Sequence, residues 1–361
     1  MKRKKLRKEM LDDFYVFCYT KSKHLKTKKY AKKRIKMIHG GYNGSQKEFD
    51  TVVKPYWKKY GIHPKKYWYD IYCQSDGHYD PRYIPDTIWV SKILPFYNAL
   101  IFRKAYTDKN FLDRLLPCVA HPELVVKNQG GHFYDEKDRL ISREEARERC
   151  LRESRIIFKP AIFSGGGGNI QFYEAKEMGP ETIERYFDAY KTNFVAQRIV
   201  KQHPDLARIN ESSLNTVRVM TFHFKNRFHV LSAQLRMGTN GAKLDNVSAG
   251  GCSCSIKEDG WLWEKAVTRK SEWSDRHPNG LLFREIRVPC YDQVVEAAKK
   301  CHALLPYFNI IGWDFAVRED GEPVLIEFNL MPDQNQVAGG PGFGDLTDEV
   351  LDEVFLGKTP N

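Results

Sequence analysis

No apolar run in the chain approaches the ~20 residues that a membrane-spanning helix requires. The basic N-terminus, Met1-Lys2-Arg3-Lys4-Lys5-Leu6-Arg7-Lys8, is not followed by the apolar stretch of a secretory signal. Cysteine is scarce and scattered, with eight in 361 residues. Without an export signal, that distribution predicts reduced thiols in a cytoplasmic protein rather than a disulfide framework. Cys252 and Cys254 form the one close pair. No second pair or histidine stands at zinc-like spacing, so strand packing is the expected role. No Ser/His/Asp or Cys/His arrangement is visible, which argues against a protein nucleophile. Internal repeats and low-complexity linkers are missing too.

What is present suits a large folded body. Hydrophobic residues make up 42% and charged residues 29%, as in globular proteins, and the length suggests two or three structural units. The net charge of +12 resembles a nucleic-acid signal until it is located. Residues 1–40 hold fifteen Lys/Arg and three Asp/Glu, and the remaining residues balance at 43 of each sign. Nucleic acid is therefore not expected as the main partner. The basic arm can meet anionic lipid, nucleic acid or an acidic partner, or is simply a solvated helix face. On this reading the protein is cytoplasmic, with the inner membrane face as a peripheral location.

Residues 1–39 have helical composition and end at Gly40-Gly41. From 43 to 98 the chain is dense in Tyr, Trp and Pro. Such a stretch packs a small irregular domain or lines a sugar or base platform, and Tyr67, Trp68 and Tyr83 are candidates for an acceptor pocket. Thr107-Asp108-Lys109-Asn110 opens a short helix. Ser142 through Glu145 is a capping box, and Pro180 starts a helix carrying Ile183, Tyr186, Phe187 and Tyr190. Strands are expected at 124–126, 156–160, 194–200, 216–224, 227–237 and 253–256. An amphipathic helix is expected over 292–305, and a last helix capped by Thr347. Helices inserted between strands, without strict alternation, indicate an α+β body.

Two stretches carry chemistry. Lys159, at a strand end, precedes Ser164-Gly165-Gly166-Gly167-Gly168. Glycines let backbone N–H groups approach an anion closely, and a lysine adds a mobile positive charge. The stretch fits neither G-x-x-x-x-G-K-[ST] nor G-x-G-x-x-G opening a helix, so Walker and dinucleotide readings are poor. Later, Gly312-Trp313-Asp314-Phe315-Ala316-Val317 and Pro323-Val324-Leu325-Ile326-Glu327-Phe328-Asn329 read as a hairpin around Glu319-Asp320-Gly321-Glu322. Glu327 and Asn329 share a strand face. A carboxylate such as Asp314 among apolar neighbours is costly to bury unless something positive meets it. Two carboxylates and an amide oxygen suit Mg²⁺. The alternative is an exposed hairpin whose polar face meets water. With Arg218 on an earlier strand, these parts make a plausible Mg-nucleotide site between two lobes.

These pieces resemble the ATP-grasp superfamily. The match runs through Asp108-Lys109-Asn110, Phe158-Lys159-Pro160 with its glycines, Val195-Ala196-Gln197-Arg198-Ile199-Val200, Asn215-Thr216-Val217-Arg218-Val219 and the closing hairpin. Leu214 through Arg218 and Asp245-Asn246-Val247-Ser248-Ala249-Gly250-Gly251 look like its sugar-transfer-associated group. The resemblance, over roughly 80–361, implies two lobes clamping ATP after a basic arm (1–40) and an aromatic-rich domain (41–105). The first lobe, 106–194, carries the glycine loop, and the second, 195–361, the metal site. Lys109 and Lys159 would contact phosphates, Gly165, Gly166, Gly167 and Gly168 would form the flap, and the backbone of Gln197, Arg198, Ile199 and Val200 would hold adenine. Arg218 would face the transferred phosphoryl group, while Asp314, Glu327 and Asn329 would bind Mg²⁺. Arg198 stands where the family commonly has Glu. The implied activity is an ADP-forming carboxylate–amine ligase acting through an acyl phosphate on small-molecule carboxylates and amines, sugar-linked ones included, in cell-surface polysaccharide or related conjugate synthesis. A kinase acting on a hydroxyl and a non-catalytic nucleotide-binding partner protein are the alternatives.

Overall fold

The protein is described here by a computed structural model covering residues 2–38, 44–74, 77–162, 168–242 and 250–358, with side chains from residue 13 onward. Gly165, Gly166, Gly167 and the Asp245-Asn246 pair lie outside the described residues. The α+β class expected from the sequence is the class observed: two antiparallel sheets with helices packed on them.

The first sheet is built from β1 (Leu124–Gln129), β2 (His132–Tyr134), β3 (Leu140–Ile141), β4 (Arg155–Pro160), β5 (Gln171–Glu174) and β6 (Phe194–Arg198). Its order is β3-β2-β1-β6-β4-β5. Phe133, Ile156, Phe158, Phe194 and Ala196 form an apolar face against helices Arg143–Leu151 and Glu181–Tyr190. The first helix starts where its capping box predicts, Ser142 accepting the Glu145 N–H at 3.1 Å. The second follows Pro180, with Glu181 and Glu184 favourably placed in its first turn. Because β6 lies between β1 and β4, a lobe boundary at 194/195 would cut a central strand. The first sheet continues to Arg198.

The second sheet holds β7 (Thr216–Phe224), β8 (Arg227–Met237), β9 (Cys252–Ser255), β10 (Ala266–Thr268), β11 (Trp273–Ser274), β12 (Ile310–Val317) and β13 (Pro323–Asn329), in the order β11-β10-β9-β8-β7-β12-β13. One face carries Val217, Val219, Leu235, Cys254, Trp313 and Phe315, packed with Val294, Ala298 and Cys301 of helix Tyr291–Ala303. Cys252 and Cys254 are buried there as free thiols, in the packing role expected. Although Trp313-Asp314-Phe315 alternates apolar and polar residues in sequence, β12 shows no alternation in exposure. All eight of its residues are buried, since the strand is interior and covered on both faces.

The second face is divided. Met220, Phe222, Phe224 and Ile310 are covered by the aromatic-rich segment, in a core with Trp57, Trp68, Tyr69, Tyr72, Tyr83, Trp89 and the final helix residues Val350 and Leu351. Trp68 and Tyr83 are only 2% and 3% exposed, so they are core and not the lining of an acceptor pocket. The segment also does not stand apart as a small domain, because its core is continuous with the sheet. The N-terminal helix, Lys2–Met37, is likewise no free arm: Ala31 and Ile38 belong to the same core. The final helix, Thr347–Leu356, is not capped by Thr347. That residue is the helix's first, and its hydroxyl donates back to the Gly344 carbonyl at 2.6 Å.

One buried amide ties this cover to the sheet. Asn98 donates to the carbonyls of Ile310 and Leu330, both at 2.8 Å, and accepts the Ile310 N–H at 2.9 Å. Asn98→Ala would leave these groups buried without partners, at about 1–3 kcal/mol each before relaxation. Urea denaturation should therefore show Asn98→Ala destabilised by about 3 kcal/mol, against well under 1 kcal/mol for a surface change such as Glu296→Ala.

Candidate functional site

The other half of that second face is polar, and most of it is buried. Direct register partners share a face, and they run Ser255–Gln234–Arg218–Asp314–Glu327 across five strands. A second row holds Ser253, Arg236 and Thr216. A bulge in β13 makes the alignment possible. Asp314 faces Glu327 while Phe315 faces Leu325, leaving Ile326 as the extra residue. With Ile326 taken up this way, Leu325 and Phe328 point into the apolar core and Glu327 and Asn329 point to the polar face.

Arg218 and Asp314 are held together by two hydrogen bonds, Nε to Oδ1 at 2.5 Å and Nη2 to Oδ2 at 2.6 Å. Arg236 adds a contact to Oδ1 at 3.3 Å, and the Asn329 amide donates to Oδ2 at 3.3 Å. Burial alone would raise the Asp314 carboxyl, but the Arg218 and Arg236 guanidiniums hold it below its ordinary value. Burial also works against charge on Arg218, and the Asp314 carboxylate overcomes it, raising the guanidinium.

A lysine arrives from the other sheet. Asp108 accepts the Asn110 N–H at 2.9 Å and so caps the tight turn Lys109–Phe111. The turn is pinned to the first sheet by Lys109 N–H to the Ala161 carbonyl and by the Asn110 amide to the Asn128 carbonyl. From there the Lys109 ammonium reaches Glu327 Oε2 at 3.2 Å. Lys109 and Glu327, expected to serve phosphate and metal separately, are thus paired with each other. Lys159, near the end of β4, is half-buried and stands opposite Val195, whose other neighbour is Lys127. Lys127 is fully buried between Asp113 and Asp138, each at 3.0 Å.

Gln197 is buried opposite Ile157, while Ile199 and Val200 lie half-buried just past β6. The Arg198 side chain instead turns outward to Glu123 and Glu153, which explains how an arginine is accommodated there. Beyond it the chain bonds onto the hairpin, His203 N–H to the Val317 carbonyl and Glu319 N–H to the Lys201 carbonyl. His203 caps helix Pro204–Ala207, its ring accepting the Asp205 N–H. Gly168 is an exposed turn residue.

Among the described residues no three His, Cys, Asp or Glu side chains gather as a metal site. The donor set in question is two carboxylates and an amide oxygen, hard ligands of the kind magnesium prefers. Asp314, Glu327 and Asn329 do share one patch, so their chemistry fits the ion, although both Asp314 oxygens are engaged by guanidiniums here. Arg236, Gln234, Ser253 and Ser255 escaped sequence reasoning. Their signal was the alternation Ser232-Ala233-Gln234-Leu235-Arg236-Met237, which needs the register with Arg218 before it means anything.

Residues 108–351 match the family described as sugar-transfer associated ATP-grasp, more than half of the chain. No curated protein matches. Solved structures similar to the chain include D-cycloserine synthetase DcsG, at 17% identity over 70% of this chain and 72% of that one, TM-score 0.41. The D-Ala:D-Ser ligase VanG from Enterococcus faecalis is 13% identical over 75% and 63%, TM-score 0.41. A biotin carboxylase from Campylobacter jejuni is 11% identical over 71% and 47%, TM-score 0.42, so the chain spans about half that protein's length. Likeness of this degree says nothing about substrate.

Removing one partner of a buried ion pair strands the other, at about 3–5 kcal/mol. Arg218→Met should lose about that much in urea denaturation, with the double variant Arg218→Met/Asp314→Leu recovering most of it. A carboxyl depressed in the folded state stabilises above its unfolded pKa of ~3.9 and loses that contribution as pH falls through the folded value. Stability of the unmodified protein should thus drop more steeply below about pH 4 than that of Asp314→Asn.

Proposed function

The chain belongs to the sugar-transfer associated ATP-grasp family, and from that premise we propose that it is an ATP- and Mg²⁺-dependent ligase joining a carboxylate to an amine. The observation that carries this reading is the meeting of Lys109, from the first sheet, with Glu327 on the second at 3.2 Å, beside the Arg218–Asp314 pair. A positive group from the first lobe meets positive and negative groups of the second where a polyphosphate and its cation would need charge neutralised from two sides.

In the proposed reaction a substrate carboxylate oxygen bonds to the γ-phosphorus of ATP as the bond to the β–γ bridging oxygen breaks, releasing ADP. The amine nitrogen then bonds to the acyl carbon, phosphate leaves with the C–O bonding pair, and the nitrogen gives up a proton. Asp314, Glu327 and Asn329 would hold Mg²⁺, which supplies charge neutralisation along the phosphates when bound. Lys109 and Lys159 orient the phosphates, and Arg218 neutralises charge on the transferred group. Arg236 lies on the same face and provides a donor for an anionic substrate. The glycine loop keeps water from the acyl phosphate. Conjugates bearing sugars are the class of second substrate favoured by the family description. In this proposal the reaction would serve cell-surface polysaccharide or related conjugate synthesis in the cytoplasm.

The test is ADP release against pools of amino acids, amines and nucleotide sugars, with mass spectrometry distinguishing an amide from a phosphoester. Glu327→Gln should reduce turnover by about a hundredfold or more and abolish magnesium-dependent ATP binding in calorimetry. An unchanged Glu327→Gln enzyme, or a phosphoester product, would defeat the reading. Arg198→Ala should leave the KM for ATP within about twofold, because that side chain is committed to exposed ion pairs.

A further inference from the structure

We propose that the N-terminal helix docks the protein on an anionic lipid bilayer. The helix Lys2–Met37 presents two unlike sides. Thr20, Ala31 and Ile38 are buried against the body. On the other side Phe14, Phe17 and Leu25 are 63%, 57% and 59% exposed. Exposed Lys21, Lys28, Lys29, Lys32 and Lys36 continue that side. Positions 14, 18, 21, 25, 28, 32 and 36 recur at helical spacing, so the apolar and basic side chains form one stripe.

The helix is held in a fixed orientation. Arg103 lies over the Tyr19 ring at 4.8 Å, Lys104 over Tyr15 at 5.4 Å and Arg269 over Tyr30 at 5.5 Å. Arg34 also donates to the Ser271 hydroxyl at 3.1 Å. The body therefore uses one side of the helix and leaves the phenylalanine–leucine–lysine side outward.

Charge complementarity selects the occupant. From residue 14 to residue 47 the chain contains no Asp or Glu, while residues 21–36 hold nine Lys/Arg. An anionic bilayer attracts such a run and accepts the apolar side chains between its headgroups. Nucleic acid would engage the lysines and could stack on phenylalanine, but it offers nothing to Leu25. This inference is independent of the ligase reading.

The experiment is co-sedimentation of the full-length protein with vesicles. Binding is expected to vesicles containing about one third phosphatidylglycerol, to be weak on pure phosphatidylcholine, and to fall as salt rises. The triple variant Phe14→Ser/Phe17→Ser/Leu25→Ser, at exposed positions, should bind anionic vesicles about tenfold less tightly. Lys21→Glu/Lys28→Glu should remove much of the salt-sensitive part. No binding to anionic vesicles, equal binding to phosphatidylcholine, or full binding by the triple variant would overturn the proposal. So would tighter binding to a DNA duplex that the triple variant leaves unchanged, which would make the helix a nucleic-acid contact. ADP release in solution should be the same for all variants, which separates this test from that of the ligase reading.

Discussion

A carboxylate buried in the middle of a sheet constrains everything around it. Asp314 is 3% exposed on an interior strand, and a charge in that position is tolerable only because guanidiniums surround it. Arg218 must therefore sit at the same level of β7, which fixes the β7–β12 register. A slip of one residue would put Val217 or Val219 opposite the charge and push Arg218 into the apolar core. The pair thus does two jobs: it pins the sheet, and it holds opposite charges ready at the site.

The same sheet shows how a site is made by keeping apolar packing to one half of a face. The aromatic segment and the final helix occupy the Met220–Phe224 half of one face, and the half around Arg218 and Asp314 keeps its polar side chains. Aromatic density that suggested a recognition platform is packing material. Its effect on function is indirect: it closes off the far half of the sheet, and through Trp89, whose N–H donates to the Pro332 carbonyl at 2.8 Å, it steadies the chain just after the hairpin.

Much of this was legible in residue patterns. The Ser142 cap, the β7 and β8 bounds and the closing hairpin follow from local chemistry, and local chemistry acts over a few residues. The lobe boundary was misplaced because an apolar strand such as Phe194–Arg198 carries no mark of which sheet it joins. Thr347 looked like a cap, but Gly344 through Leu346 already turn as a short helix and carry the start upstream. That Glu327 and Asn329 share a face was readable from their spacing, whereas the alignment of Asp314 with Glu327 depends on the bulge at Ile326. The pairing of Arg218 with Asp314 was not readable, since it joins residues 96 apart. The outward turn of Arg198 likewise depends on Glu123 and Glu153, remote in sequence.

The extra residue at Ile326 makes the hairpin a counting device. Its identity matters less than its presence, since one residue more or fewer between Leu325 and Glu327 would exchange the two sides of the strand's last turn of pleat. Glu327 would then enter the oily side and Phe328 would face the arginines. Chain length in this stretch should consequently be far less tolerant of change than the side chains are. Insertions that enlarge a substrate pocket have to enter through the loops and leave these seven residues at their present number.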